Sequence, residues 1–224
     1  MTITAPQIQT NEAPQEGAAV RAHRTLERMI VTLELAPSSI TTEGALIERL
    51  AVGRTPVREA IQRLAWDGLL EVRPRSGLAI APLRAADWAL VVEARRGVEA
   101  VLARSAARHA SADARASLHS AAHAMSKAVQ ARDAIAFLEA DKLLDEVIAA
   151  ASDNEYAVRV AAPLQTHSRR FWYRYQADSG LAQSAEHHVG LIKAILDGNE
   201  HRAASEAHRL MAMLSQLAHQ AGRR

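Results

Sequence analysis

Apolar residues recur three or four positions apart in three segments near the start of the chain, as they do on the buried face of a helix. The first segment, residues 21–35, ends at a break around Pro37, and the second begins at Thr42 and Glu43. The third follows a turn at Gly53. The pattern therefore predicts three consecutive short helices.

The third helix leads into a short stretch with strand character. Thr55 predicts an N-cap and Pro56 the first helical position, where the missing N–H costs nothing. Gly68 marks the end of the helix, and apolar residues on both sides of a turn at 73–77 predict a two-stranded hairpin. Three helices followed by a hairpin are typical of a helix-turn-helix with a wing.

Arginines lie at both ends of this unit. Arg54 and Arg58 flank the start of the third helix, and Arg73 and Arg75 lie in the hairpin turn. Guanidinium groups beside the free N–H groups of a helix start bind phosphate, and arginine can also reach a guanine edge with two hydrogen bonds. An ordinary solvent-exposed helix face would account for the helix arginines alone, but not for those at the hairpin tip as well.

Beyond residue 84 the pattern predicts helices only. Several segments are apolar on more than one side, as helices between neighbours in a bundle are. Ser111, Asp133 and Asn154 predict caps or breaks between segments. The six predicted helices are 85–109, 112–131, 134–151, 155–177, 183–197 and 200–222.

The predicted fold is mainly α, with a winged helix-turn-helix of three helices and a small β-hairpin at 21–83 and an all-α six-helix bundle at 84–224. Residues 1–20 are rich in Pro, Gln, Thr and Ala without periodicity and predict a disordered tail. The composition agrees, because 49% apolar with 4% aromatic residues is typical of helices rich in Ala and Leu.

The charge distribution adds a small bias. The whole chain carries a net charge of only +2, but residues 21–84 hold ten arginines against seven carboxylates, a net charge of +3. The chain has no cysteine, which excludes a disulfide framework and a zinc-thiolate site. It has no apolar run of membrane-spanning length and no signal-peptide pattern, so we expect a cytoplasmic protein.

Residues 21–83 resemble the winged helix-turn-helix of the GntR family of bacterial transcription regulators. The resemblance lies in the segment from Arg54 to Ala60, in Leu64 and Gly68-Leu69, and in the wing at 73–77. It implies a DNA-binding function, with the wing tip in the minor groove. The residues that it assigns to DNA contact, together with the arginines above, are Arg54, Thr55, Arg58, Arg73, Arg75, Ser76 and Gly77.

Residues 84–224 resemble the FCD effector domain of the FadR subfamily, most of all its VanR-like branch with six helices. This resemblance implies a homodimer and a small carboxylate effector held in the bundle. The matching residues on the first helix are Glu93-Ala94-Arg95 with Glu99. The residues that it assigns to the effector are Arg95, Asp141, Asp145 and His188.

Relatives of this kind hold a metal ion with one Asp and three His. Here Asp141 and His188 match that set, Asp145 replaces one His, and Leu210 replaces another. The three remaining donors would hold one divalent ion per subunit, such as Zn, Ni or Mn. In the alternative, Asp141 and Asp145 line a polar pocket whose cation is an arginine, and no metal binds.

The segment from Arg169 to Tyr175 is the densest aromatic cluster of the chain. We interpret it as core and dimer packing rather than base stacking, with one of its arginines reaching an effector carboxylate. The remaining histidines, His167 among them, have no metal-ligand spacing and are interpreted mostly as solvated helix-surface residues.

Two functions of different classes remain open from the sequence. The first is a transcription regulator, a repressor that binds a palindromic DNA operator as a dimer and responds to a small organic acid. The second is a metal-dependent hydrolase or lyase that uses Asp141, Asp145, His188 and a bound water. The enzyme lacks a complete ligand set and a recognisable nucleophile or base, so the regulator is the preferred hypothesis.

Overall fold

The computed structural model describes residues 17–176 and 180–223. Residues 1–16, which make up the greater part of the predicted tail, and residues 177–179 and 224 lie outside these ranges. The N-terminal part of the described chain, which we call the head, is a winged helix-turn-helix. Its elements are α1 (Ala18–Val31), β1 (Ile40–Thr41), α2 (Glu43–Leu50), α3 (Arg54–Trp66), β2 (Leu70–Arg73) and β3 (Gly77–Ile80).

The core of the head forms where the apolar faces of α1 and α3 meet. Leu26 and Ile30 of α1 and Val57 and Leu64 of α3 are almost completely buried and belong to one cluster. Thr42 caps α2, as predicted, because its Oγ1 accepts a hydrogen bond from the backbone N–H of Ala45 at 3.1 Å. The three predicted helices are therefore confirmed.

Two helix starts differ from the prediction. α1 begins at Ala18, so residues 18–20 are helical and do not belong to a disordered tail. α3 begins at Arg54 with Gly53 as its N-cap, and Thr55 is not the cap. The backbone N–H of Val57 already bonds to the carbonyl of Gly53 at 3.4 Å. Pro56 fits the first turn because N–H groups there have no partner within the helix.

The predicted hairpin is part of a three-stranded antiparallel sheet of order β1-β3-β2. β2 and β3 pair from Leu70 opposite Ile80 to Arg73 opposite Gly77, and β1 adds a third strand that the sequence pattern did not predict. Gly77 has φ +92°, and a Cβ there would lie 2.5 Å from the carbonyl oxygen of Thr41. Only glycine fits this close approach without displacing β1.

The rest of the described chain is a helical bundle, and each of its helices was predicted to within three residues at either end. Its elements are α4 (Ala85–His109), α5 (Ala112–Ala131), α6 (Ala134–Ser152), α7 (Glu155–Tyr175), α8 (Gly180–Leu196) and α9 (Glu200–Ala221). No helix in the described ranges is long and apolar enough to cross a membrane.

The predicted caps and the aromatic cluster explain how the bundle is built. Side chains of Ser111, Asp133 and Asn154 accept hydrogen bonds from the first turns of α5, α6 and α7. Phe171 and Trp172, both almost fully buried, stack on aromatic rings of α4 and α6 at centroid distances of 6.1 and 5.2 Å. The interpretation of the cluster as core packing is confirmed.

Candidate nucleic-acid interface and buried charged cluster

The residues predicted to contact DNA lie on the first turns of α3 and on the β2–β3 wing. All of them are exposed except Gly77, which is half-buried behind β1. Arg54 and Thr55 begin α3 and Arg58 follows one turn later. The wing tip turns at Arg75, which has φ +65°. The exposed residues are Arg54, Thr55, Arg58, Arg73, Arg75 and Ser76.

Acidic neighbours orient two of these arginines. The Nε of Arg58 lies 2.8 Å from Oε1 of Glu43 at the start of α2, and the Arg58 side chain is 61% exposed. Arg73 pairs with Glu71 at 2.9 Å in the same way. Exposed ion pairs of this kind contribute little free energy of unfolding, about 1 kcal/mol or less. A phosphate group can therefore replace either carboxylate at little cost.

The arrangement suits a polyanion with grooves. The free N–H groups at the start of α3 and the guanidinium groups of Arg54 and Arg58 form one anion-binding surface. An exposed helix face of this kind fits a major groove, and a basic wing beside it reaches the neighbouring backbone.

A second set of charges is buried inside the bundle. We call Asp141 and Asp145 of α6, Arg169 of α7 and His188 of α8 the buried charged cluster. Arg169 Nη1 lies 2.5 Å from Asp145 Oδ2 and 3.4 Å from Asp141 Oδ2. His188 Nε2 lies 2.8 Å from Asp141 Oδ1, while its Nδ1 lies 2.6 Å from the carbonyl oxygen of Ser184.

The two carboxylates of the cluster have opposite pKa shifts. Burial raises the pKa of Asp145, and the charge of Asp141 raises it further. Burial opposes ionisation of Asp141 as well, but the hydrogen bond and charge of His188 together with Arg169 bring its pKa below the ordinary value. The pKa of His188 is raised by Asp141 despite burial. Asp141 and His188 therefore form an ion pair in which both ring nitrogens donate.

In this arrangement the cluster does not fit a divalent metal ion, and the three-donor metal site remains a prediction. Asp145 is held by Arg169, Leu210 is a buried apolar residue without a donor, and only Asp141 and His188 remain. A divalent ion bound there would lie close to the Arg169 guanidinium, which repels it. In the described ranges no group of three His, Cys, Asp or Glu side chains is arranged to hold a metal. The arrangement matches the alternative with an arginine as the cation.

A small cavity adjoins the cluster. Its lining includes three of the four predicted effector residues, Arg95, Asp141 and His188, together with Arg169. Asp145 does not line it. The cavity measures about 20 Å³, which accommodates one water. Arg95 is buried and bonded to Glu99 at 2.7 Å. In this arrangement the bundle cavity has no room for an organic acid.

Arg169 also connects the cluster to the head. Glu27 of α1 is buried, and its Oε1 lies 2.6 Å from Lys142 Nζ and 4.0 Å from Arg169 Nη2. Burial alone would raise the pKa of Glu27, but Lys142 and Arg169 hold it below the ordinary value. One guanidinium thus faces carboxylates of both α1 and α6, and Arg169 lies where the head meets the bundle.

Two residues close to Arg169 on α7 form hydrogen bonds to backbone carbonyl oxygens of the head and of the linker that follows it. Arg170, 1% exposed, donates to the carbonyl oxygens of Ala81 at 2.6 Å and Pro82 at 3.4 Å, in the linker after β3. Burial lowers the pKa of Arg170 to about 10. His167 Nε2 donates to the carbonyl oxygen of Asp67 at 2.8 Å, so its interpretation as a solvated surface histidine is corrected.

Glu27 and Lys142 were not predicted from the sequence as parts of the site, and the arginines of the 169–175 segment were predicted only as candidate partners of an effector carboxylate. The only pointer was the arginine pair before the aromatic cluster, since arginines on a helix face with that many aromatic neighbours are expected to be buried and therefore paired. Which carboxylates they meet depends on how α6, α7 and α1 pack together.

Two family models match the chain. The model described as the gntR family of bacterial regulatory proteins matches residues 18–80, and the FCD domain model matches residues 90–213. The chain is 42% identical over 72 residues to an uncharacterized HTH-type transcriptional regulator in an unstable DNA locus of Streptomyces ambofaciens. That alignment covers 31% of this chain and 30% of the relative.

The chain is also 27% identical over 150 residues to the HTH-type transcriptional repressor RspR of Escherichia coli. That match covers 67% of this chain and 66% of the relative, so it stops short of the full length of RspR. Among solved structures, E. coli McbR/YncC superposes with a TM-score of 0.78 at 17% identity over 92% of this chain and 99% of that chain. This chain and McbR/YncC therefore share the same fold.

Proposed function

The chain belongs to the gntR family of bacterial regulatory proteins and carries an FCD domain after its winged helix-turn-helix, and we propose that it is a transcription regulator, most simply a repressor, controlled by a small organic acid. The observation that carries the proposal is the exposed basic surface formed by the start of α3 and the wing. Its action on chromosomal DNA would place it in the cytoplasm.

We propose that two copies bind one palindromic operator. A single recognition helix contacts only a few base pairs, whereas two heads related by a two-fold axis double the number of contacts and the sequence specificity. In each head, Arg54, Thr55 and Arg58 would read the major groove. The wing residues 73–77 would contact the adjacent backbone and minor groove.

We further propose that the bundle controls the head through α7. An effector carboxylate that enters beside Arg95, Asp141 and His188 would compete for the Arg169 guanidinium, and Asp145 would lose part of its pairing. The cavity must open for this to happen, because it now accommodates only a water. The free energy of opening would then be coupled to the position of α1 through Glu27.

A metal-dependent hydrolase or lyase is not proposed. The family assignment is to regulatory proteins and not to an enzyme, and the described residues do not assemble the three metal ligands that this chemistry requires.

The proposal is tested by selecting genomic fragments with the purified chain and measuring retardation of the recovered DNA in a gel. We expect a discrete complex whose stoichiometry is two chains per site. Arg54→Ala should weaken it at least about tenfold, which corresponds to the loss of one base-reading arginine. Recovery of random fragments would refute sequence-specific DNA binding. Equal retardation by Arg54→Ala would refute the assignment of base reading to the start of α3.

A further inference from the structure

A cleft lies between α1 of the head and α6 of the bundle. Its volume is about 380 Å³, roughly the volume that a dozen waters occupy in the liquid. Such a volume is in the range of small-molecule sites, which often lie between domains. The cleft shares Leu138 and Arg169 with the small bundle cavity, but it opens to solvent and is about twenty times larger.

The floor and one side of the cleft are apolar. Val31 of α1 and Leu138 of α6 are buried beneath it, whereas Ile135 and Leu143 of α6 line it while 38% and 40% exposed. Two large apolar side chains that face water in one concave surface cost free energy that a ligand with an apolar body would recover.

Cations are in excess in the lining of the cleft. Four cationic side chains, Arg24, Arg28, Lys142 and Arg169, face three carboxylates, Glu27, Glu139 and Glu146. Lys142 and Arg169 are engaged with buried carboxylates.

Arg28 is the cation best placed to change its partner. Its Nη2 lies 3.6 Å from Glu34 Oε2, and its side chain is 44% exposed. Glu34 is also paired with Arg49, so Glu34 keeps a cation if Arg28 turns toward a ligand. The exchange therefore leaves no unpaired charge on the protein.

We propose that this cleft is a binding site for a small organic anion with an apolar body, distinct from the bundle cavity. The anionic group pairs with Arg28 at the rim, and the body lies on Val31, Leu138 and Leu143. The proposal that a ligand binds here depends only on the geometry of the cleft. The regulatory effect of that ligand rests on the proposed function.

A ligand in this cleft touches both the head and the bundle. It therefore stabilises the arrangement in which α1 of the head lies beside α6 of the bundle, and it does so without opening the bundle cavity. In a regulator, this would favour one spacing of the two DNA-binding heads over others. The cleft thus provides a second way to control the head.

The test is isothermal titration calorimetry of the full-length chain with octanoate at low salt. We expect saturable binding of one octanoate per chain. Octylammonium, which has the same apolar body and the opposite charge, should bind at least tenfold more weakly. Arg28→Gln should weaken octanoate binding about tenfold, and Leu143→Glu should abolish it, because the new carboxylate lies in the wall of the cleft.

Each variant has a matched control. Arg159→Gln removes an exposed arginine of α7 that pairs with Glu155 and does not line the cleft. Val160→Glu places a carboxylate on α7 at a site that is 57% exposed and lies outside the cleft. Both controls should bind octanoate like the wild type. Thermal unfolding followed by circular dichroism verifies that all four variants are folded.

Three results would overturn the proposal. The first is no saturable heat with octanoate, and the second is equal binding by Leu143→Glu and Val160→Glu. The third is binding that survives Leu143→Glu but is lost in Ser168→Val, which would locate octanoate in the bundle cavity. Sedimentation gives one more comparison. If the wild type is a dimer that does not bind octanoate, and Leu143→Glu is a monomer, the occupant of the cleft is a second copy of the chain and the proposal is wrong.

Failure of this site and failure of the proposed function give different results. If wild-type protein retards its selected DNA but does not bind octanoate, the cleft proposal fails and the regulator proposal stands. If octanoate binds as described but no DNA complex forms, the cleft is a ligand site in a protein of another function.

Discussion

Replacement of Arg169 is expected to destabilise the folded chain strongly. Arg169→Met keeps the aliphatic stem of the side chain and removes the guanidinium that faces Asp141, Asp145 and Glu27. The Arg169 side chain is only 8% exposed, so the carboxylates that it leaves behind lose their partner in a site with little water. Removal of one partner of a buried ion pair costs about 3–5 kcal/mol of unfolding free energy.

Part of the loss of unfolding free energy in Arg169→Met comes from the unpaired carboxylate of Asp145. Asp141 retains His188 and Glu27 retains Lys142, whereas Asp145 has no other ion pair shorter than 4 Å among the described residues. The double variant Arg169→Met/Asp145→Asn should therefore recover about 2 kcal/mol relative to the single variant, since the unpaired charge is removed with it. Acidification should also reduce the deficit of Arg169→Met. The pKa of Asp145 is already raised in the native protein, and a protonated carboxyl needs no cation.

Urea unfolding followed by circular dichroism at several pH values measures these differences. Arg159→Met serves as a control, because Arg159 lies on the same helix, is 72% exposed and pairs only with the exposed Glu155. It should change the unfolding free energy by less than about 0.5 kcal/mol. If Arg169→Met unfolds like this control, or if adding Asp145→Asn brings no recovery, the description of the buried charged cluster is wrong.

Other parts of the molecule give further predictions. Gly77→Ala should lower the unfolding free energy of the head by more than about 1 kcal/mol, because its Cβ would meet the carbonyl of Thr41; a melting temperature equal to wild type would contradict this. Burial and Arg63 lower the pKa of His23 to about 4, so the folded state favours the neutral imidazole. The contribution of this neutral ring to the unfolding free energy is fully present above pH 6.5 and is lost as the pH falls toward 4. Between pH 7 and pH 5 the unfolding free energy of the wild type should fall by about 2 kcal/mol more than that of His23→Gln. Parallel pH profiles of the two proteins would refute the lowered pKa of His23. Zinc or nickel added to chelator-treated protein should leave the melting temperature unchanged, whereas saturable stabilisation would support the metal hypothesis.

The bundle helices were predictable because their boundaries are set locally. Ser111, Asp133 and Asn154 each cap a helix with their own side chains, and this chemistry can be read from a few adjacent residues. Between these caps, apolar residues recur at helical spacing on long faces, and this pattern predicts helices that pack in a bundle. The wing was predictable for a similar reason, since Gly77 and the turn before it interrupt two short apolar runs.

Contacts between distant segments were not predictable in the same way. β1 has only two residues and becomes a strand because Ile40 and Thr41 pair with β3, almost forty residues later. The N-cap of α3 was placed at Thr55 because its side chain favours that role, but the backbone hydrogen bond to Gly53 starts the helix earlier. The backbone bond, and not the side-chain propensity of Thr55, therefore defines the start of α3.

The buried charged cluster shows the same limit. The resemblance to metal-binding relatives correctly brings Asp141 and His188 together, and the Nε2–Oδ1 distance of 2.8 Å confirms their proximity. It says nothing about Arg169, which lies 24 residues after Asp145 and meets it only because α6 and α7 pack side by side. A sequence pattern identifies candidate ligands, but the cation that balances them depends on tertiary packing.

The proposed function rests on the claim that the head reads DNA through the start of α3. Fluorescence anisotropy of a labelled operator fragment, titrated with wild type and with Arg54→Ala/Arg58→Ala at two salt concentrations, measures this contribution. The double variant should bind at least about 30-fold more weakly with a smaller salt dependence, while Arg159→Ala binds like the wild type. Equal affinity of the double variant and the wild type would contradict the claim.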